Sequence, residues 1–221
     1  MTVDGSVAHI GQQVDPATQH VEVDGIALPL APDLVYYLLN KPRGIVSTAD
    51  DPQRRGTVVE LVPPEPRVYP VGRLDIESEG LLILTNDGDL ALRLTHPRYG
   101  IEKAYVALVD GHPGRAALRR LTSGVELDDG TARAIRARVL DRRGAESLVE
   151  IVMAEGRKRE VRRMCALIGH SVQRLVRTGI GPLRDAALRP GAWRPLTIDE
   201  VRELYGAAGS DIDRPESGGE E

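Results

Sequence analysis

The sequence predicts an α+β fold. Strand-like runs outnumber helix-like ones, and the two do not alternate as the units of a doubly wound sheet require. At 221 residues, with 41% apolar and 28% charged, the chain is long enough for a real core and too apolar for general disorder. No internal repeat is visible.

The elements follow in chain order. Asp24-Gly25 is a hairpin signal between the apolar stretches 21–23 and 26–30, and Pro29 to Pro32 reads as a linker. LVYYLL at 34–39 reads as a buried strand, broken by Lys41-Pro42-Arg43-Gly44. Pro52, Pro63, Pro64, Pro66 and Pro70 make 50–70 mostly loop, with a helical turn near 57–62. LLIL at 81–84 is a strand closed by Asn86-Asp87-Gly88, and a short helix over 89–95 stops at His96-Pro97. A strand at 103–109, a helix at 113–122 capped by Gly124, and strands at 133–140 and 147–153 come next. Over 158–168, Val161, Met164, Cys165 and Ile168 fall at i, i+3, i+4 and i+7, the apolar stripe of an amphipathic helix. A strand at 171–177 follows. Thr197 and Glu200 form a capping box that opens a last helix to Tyr205, and 207–221 reads as a disordered acidic tail.

The formal net charge of −4 hides an uneven distribution. Residues 1–33 carry five acids and no Lys or Arg, whereas 34–206 carry 28 bases against 23 acids. Within 154–177, seven bases (Arg157, Lys158, Arg159, Arg162, Arg163, Arg174, Arg177) stand against Glu155 and Glu160, a patch suited to phosphate. A solvated helix face would carry the same charges.

Several chemistries lack their residues. One cysteine, Cys165, excludes a disulfide framework and a multi-cysteine zinc site, and fits a reducing, cytoplasmic setting. The five histidines have no metal-ligand spacing, and no phosphate-binding glycine loop or nucleophile elbow occurs. No apolar run is long enough to span a membrane and no signal peptide opens the chain. What remains is GRLDIESEGLLILTNDG at 72–88. Asp75, Glu77 and Glu79 alternate, so in a strand they share one face. That pattern permits a lone reactive carboxylate, a hard-metal site or a plain polar edge. At about 100° per residue, Arg162 falls at the edge of the 158–168 apolar stripe, where it can pair with a semi-buried carboxylate. Arg159 and Arg163 fall on the far side. Arg73 shares the Asp75 face if that stretch is a strand.

The blocks LLNKPRGIVST (38–48), YPVGRLDIESEGLLILTNDGDLALRLTHP (69–97), EKAYVALVDG (102–111), EGRKREVRRMCALIGH (155–170) and LVRTGIGPL (175–183) resemble, in order, the RsuA/RluB branch of ribosomal-RNA pseudouridine synthases. The resemblance implies a bent, mostly antiparallel sheet with flanking helices and a central cleft over 34–206. It implies isomerisation of uridine in ribosomal RNA, more in the manner of the large-subunit than the small-subunit members, by a monomer using no metal or cofactor. Asp75 matches the catalytic aspartate, Tyr105 the tyrosine that stacks on the target base, and Arg162 the basic partner of the aspartate. With the basic patch, it places Lys41, Arg43, Arg73, Lys103, Arg157, Lys158, Arg159 and Arg163 on the RNA-facing cleft. Glu160 stands where many members have glutamine and is expected to weaken the local positive field slightly. Residues 1–31 look like the β-rich end of a small RNA-binding domain similar to ribosomal small-subunit protein four, truncated of its basic helical half. Two other readings stay open: a silent ribosome-assembly factor, and a metal-dependent phosphodiesterase using Asp75, Glu77 and Glu79.

Overall fold

The computed structural model describes residues 1–14, 19–27 and 34–209. Near the start, β1 (Thr2–Val3), β2 (Ser6–Val7), β3 (Val21–Val23) and β4 (Ile26–Ala27) form a four-stranded sheet, β3 and β4 joined through Asp24-Gly25. Then come β5 (Tyr36–Lys41), a 3-10 turn at Val58–Leu61, β6 (Tyr69–Pro70), β7 (Glu79–Thr85) and α1 (Gly88–Thr95). They are followed by β8 (Lys103–Asp110), α2 (Arg115–Ser123), β9 (Val125–Leu127), β10 (Gly130–Ala132), β11 (Arg136–Arg143) and β12 (Glu146–Met153). The chain continues through α3 (Glu160–Leu167), β13 (Val172–Ile180), β14 (Leu183–Arg184), β15 (Trp193–Pro195) and α4 (Ile198–Gly209).

Among the described residues, nine strands build the main sheet in the order β11-β12-β8-β13-β7-β5-β15, with β14 on β13 and β6 on β7. Every pairing is antiparallel except β7 with β13. The two halves of this sheet bury differently, and their sequences say so. In β7, Leu81 and Ile83 enter one core with Leu38, α1 and α4, while Leu82 and Leu84 enter another with Tyr37, Leu39 and Val58. Both faces are covered, hence the unbroken LLIL. β8 and β12 alternate instead: Tyr105, Ala107, Val109, Val149 and Ile151 meet Val161, Met164 and Cys165 of α3 on one face.

Asp87 joins the pieces of the first half. Its Oδ1 caps α1 by accepting the amides of Asp89 (3.1 Å) and Leu90 (3.0 Å). Its Oδ2 accepts the phenols of Tyr36 (2.8 Å) and Tyr205 (2.7 Å), which ties β5 and α4 to the same carboxylate. Burial, then this carboxylate, pushes both phenols above their ordinary range. The capping box forms as read: the Glu200 amide donates to Thr197 Oγ1 at 3.2 Å and the Thr197 amide to Glu200 Oε2 at 2.9 Å.

Some boundaries shift. The first strand of the main sheet runs 36–41 rather than 34–39, so it carries Lys41 into the sheet. α4 continues through Gly209, past the expected start of the tail at 207, because Ala208 packs into the core. Residues 210–221 and the Pro29–Pro32 linker lie outside the described residues. The β9–β10 hairpin is unmarked in the sequence because three-residue strands are too short for periodicity to register.

β7 and β13 approach unusually closely. Gly80 has φ +112, and a Cβ there would overlap the backbone carbonyl and amide of Arg177. Gly80→Ala is expected to destabilise the fold by about 3 kcal/mol, from overpacking and backbone strain together. Gly88→Ala, with nothing near its Cβ and no positive φ, is expected to be neutral or slightly stabilising. Urea midpoints of the two variants check this contrast.

Candidate active site

The carboxylate segment is a loop where it matters, not a strand. The strand begins only at Glu79, so Asp75, Glu77 and Glu79 do not share a face. Glu77 reaches Arg159 (3.1 Å) and Glu79 reaches Arg174 (2.7 Å). Asp75 is part-exposed and makes no side-chain hydrogen bond or ion pair among the described residues.

The backbone around Asp75 is pinned on both sides. Ser47 Oγ donates to Leu74 O (2.9 Å) and accepts from the Leu74 amide (3.1 Å). The Gly44 amide donates to Ile76 O (2.8 Å), and the Ser78 amide closes a turn onto Asp75 O (2.9 Å). Lys41 Nζ donates to Ser78 O (2.8 Å) and Pro42 O (3.0 Å). Lys41 is 0% exposed, which corrects its expected contact with RNA: it lies under the loop as an internal prop. Burial pulls its ammonium down to about 8, opposed by the charges of Glu79 and Asp75.

α3 supplies the cationic wall. Val161, Met164, Cys165 and Ile168 are all buried, as the stripe requires. Arg162 lies half-buried at the stripe's edge, but it does not fork onto Asp75. Its Nη1 donates to Val172 O (3.0 Å) and its Nη2 to Glu77 O (3.4 Å), so it braces the loop through backbone carbonyls while the charges of Glu77 and Asp75 act on it. Arg163 is not a free solvent-side cation either. Its two terminal nitrogens hold Asp129 at 2.9 Å each. Arg157 donates to the carbonyls of Asp129, Gly130 and Thr131, clamping the β9–β10 turn. Glu160, expected to weaken the surface field, is buried and accepts the Arg157 amide at 3.1 Å, so it closes the first turn of α3. Arg159 has φ +51; the left-handed turn aims its guanidinium at Glu77 across the cleft.

The cleft has two lobes. The first, about 410 Å³, is lined by Asp75, Arg73, Tyr105 and residues 155–161 among others. The second, about 600 Å³, is lined by Lys103, Arg177, Gly72 and Thr95, and shares Arg73, Tyr105 and 155–157 with the first. Tyr105 is 8% exposed and sits on β8 between Ile151 of β12 and Arg177 of β13. The structure therefore brings together Asp75, Tyr105, Arg73, Lys103, Arg157, Lys158 and Arg159, with Arg162 behind the loop. Arg43 is exposed and outside both lobes. Ser47, given no role by sequence reasoning, emerges, and Arg177, counted there only as one base of the 154–177 patch, proves to be a buried residue of the cleft lining. Arg177 could have been found by alternation, since it shares a strand face with the buried Leu175.

The described residues contain no grouping of three or more His, Cys, Asp or Glu able to hold a metal ion, and no helix long and apolar enough to cross a membrane.

Residues 35–167 match the family model for RNA pseudouridylate synthase. The chain belongs to this family. It is an RNA pseudouridine synthase, an isomerase that modifies RNA, of the RsuA/RluB type. An RNA pseudouridine synthase of Aquifex aeolicus is 44% identical over 211 residues, spanning 94% of this chain and 84% of the relative. The ribosomal large subunit pseudouridine synthase B of Bacillus subtilis is 40% identical over 91% of this chain and 83% of its own length. The ribosomal large subunit pseudouridine synthase E of Xanthomonas campestris is 42% identical over 76% of this chain and 96% of its own length. A crystal structure of a pseudouridylate synthase superposes with a TM-score of 0.70, at 26% identity, over 92% of this chain and 87% of that one.

The buried Lys41 has a pH signature. Between about 8 and its ordinary 10.5, the folded protein has released a proton that the unfolded chain still holds. Stability owed to Lys41 therefore rises with pH across that window. Urea titrations from about pH 7 to about pH 10 are expected to show wild type gaining about 2 kcal/mol relative to Lys41→Met. A constant difference would show that Lys41 does not titrate there.

Proposed function

We propose that this enzyme isomerises a uridine of large-subunit ribosomal RNA, with Asp75 as its catalytic carboxylate. The observation that carries the reading is the setting of Asp75: an unpaired carboxylate facing a cleft, beside Tyr105, on a loop pinned at Leu74, Ile76 and Ser78. The large-subunit assignment is supported by the names of the Bacillus and Xanthomonas relatives.

In the reaction the bond from uracil N1 to the sugar C1′ breaks and a bond from C5 to C1′ forms. The C5 proton is lost and N1 gains one, so no atoms are added overall. Asp75 supplies the electron pair as nucleophile or base. The target base leaves its stack to reach it, and the first lobe has the dimensions and the Tyr105 ring to hold one flipped base. Arg73 and Lys158 line the opening and meet backbone phosphates, while Arg159, held by Glu77, walls it. Arg162 is a positioning residue, fixing Glu77 and hence the reach of Asp75.

Asp75→Asn is expected to reduce pseudouridine formation below a few per cent of wild type while leaving melting and RNA affinity nearly unchanged. Incubating the enzyme with large- and small-subunit rRNA transcripts and mapping pseudouridines checks both parts. Retained turnover in the Asn variant, or modification confined to the small-subunit transcript, sinks the corresponding half of the reading.

Arg162→Ala is expected to lower kcat by about 10–100-fold with little change in KM, since displacing a reacting group by about 1 Å costs that much. Arg162→Lys is expected to be intermediate, because it keeps the charge but not the two-carbonyl brace. A KM effect without a kcat effect would make Arg162 a phosphate contact.

A further inference from the structure

The second lobe is not lined by Asp75, yet it holds the cleft's most deeply buried cation. β8 places Lys103 and Tyr105 on one face, two residues apart, and β13 brings Arg177 opposite Tyr105. Arg177 is 5% exposed. Its Nε donates to Leu81 O at 2.6 Å, and its Nη2 is buried without a hydrogen-bond partner. Lys103 is half-buried; burial and the nearby Arg177 charge pull its ammonium down to about 8. Neither cation is paired with a carboxylate among the described residues, and Glu155, which lines the same lobe, is held by Arg157 at 2.8 Å.

Two like charges desolvated side by side oppose folding unless an anion completes them. Such arrangements cluster at binding sites. A guanidinium locked by Leu81 O beside an ammonium is a donor set for a phosphate group. The lobe's position selects the source. It adjoins the Asp75 lobe across Tyr105, so an anion there neighbours the base stacked on that ring.

We propose that the Lys103–Arg177 lobe is a phosphodiester subsite that holds a backbone phosphate of the RNA strand flanking the uridine seated at Tyr105. The proposal rests on the uridine-isomerase reading above and adds Arg177, with Lys103, as the residues that set the strand's register over Asp75.

The test measures binding of a large-subunit rRNA transcript to wild type, Lys103→Gln, Lys103→Arg and Arg177→Lys across a range of salt concentrations and of pH. The groups facing Lys103 are Arg177 from β13, Arg73 from the 71–78 loop, and Glu155 and Arg157 from the segment after β12. Lys103→Gln is expected to weaken binding about tenfold and to reduce the slope of log affinity against log salt by about 0.7–0.9, the loss of one phosphate contact. Arg177→Lys, which keeps charge but not the fork, is expected to weaken binding as well. Wild-type affinity is expected to fall as pH rises through about 8, where Lys103 loses its proton, while Lys103→Arg holds its affinity. If Lys103→Gln does not fold, the comparison of wild type with Lys103→Arg decides alone. Unchanged affinity and salt slope in a folded Lys103→Gln overturns the proposal. So does inorganic phosphate raising the melting temperature of wild type but not of Lys103→Gln while RNA affinity stays equal, since the lobe then holds a free anion. Because binding is read, not turnover, failure of the isomerase reading shows separately as Asp75→Asn retaining pseudouridine formation.

Discussion

The approach of Gly80 to the backbone of Arg177 is the contact on which the site depends. It lies in the one parallel pairing of the main sheet, where β7 meets β13 over Glu79 with Val176 and Gly80 with Arg177. On one side stand β5 and β7, buried on both faces; on the other stand β8, β11 and β12, backed by α3. The loop carrying Asp75 enters β7 immediately before Gly80, and Tyr105 lies opposite Arg177 in the adjoining pair. Asp75 and Tyr105 come from segments thirty residues apart in sequence, and this narrow seam sets their separation. A side chain at 80 would push the two halves apart at the cleft.

Rigidity at Asp75 comes from its neighbours. Ser47, Gly44 and Lys41 bind the backbone at 74, 76 and 78, and Arg162 reaches the carbonyl of Glu77. The carboxylate is therefore aimed without being neutralised. A forked arginine directly on Asp75 would occupy the oxygen lone pairs that the proposed chemistry requires. Bracing the backbone leaves those lone pairs open while the positive charges of Lys41 and Arg162 still act on the carboxylate. Preorganisation of this kind is where an isomerase without a strong leaving group gains much of its rate.

The α+β class and most elements were legible because burial imposes period: continuous in β7, alternating in β8 and β12, and 3.6-fold in α3. The family blocks singled out Asp75, Tyr105 and Arg162, and the structure places the first two in one lobe of the cleft with Arg162 behind the loop. What failed was inference about side-chain partners. The alternation of Asp75, Glu77 and Glu79 suggested a strand face, but the turn at Asp75–Ser78 cancels that period, and no local pattern reveals a turn held from 27 to 37 residues away by Ser47 and Lys41. Lys41 was expected to contact RNA because the family resemblance places Lys41-Pro42-Arg43-Gly44 on the RNA-facing cleft; the strand in fact extends through Lys41 and takes it inside. Helical phase put Arg163 on the far side of α3, which is correct, but the far side is covered by the β9–β10 turn.

That last point changes how the basic patch is read. Of its seven bases, Arg157 and Arg163 hold the Asp129 turn, Arg159 is paired with Glu77, Arg174 with Glu79, and Arg162 braces the loop. Counting charges along 154–177 therefore overstates what RNA meets. These arginines instead give a small domain fixed walls, and Arg157, Arg159, Arg163 and Arg174 do so with their charge already balanced inside the protein. An exposed ion pair is worth little in stability, on the order of 1 kcal/mol or less, so the worth of these pairs lies in geometry. Among the cations that line the two lobes, four are left without carboxylate partners, and they surround Tyr105: Arg73 and Lys158 at the surface, Lys103 and Arg177 within. A chain whose overall charge is negative thus keeps a short cationic track along its cleft.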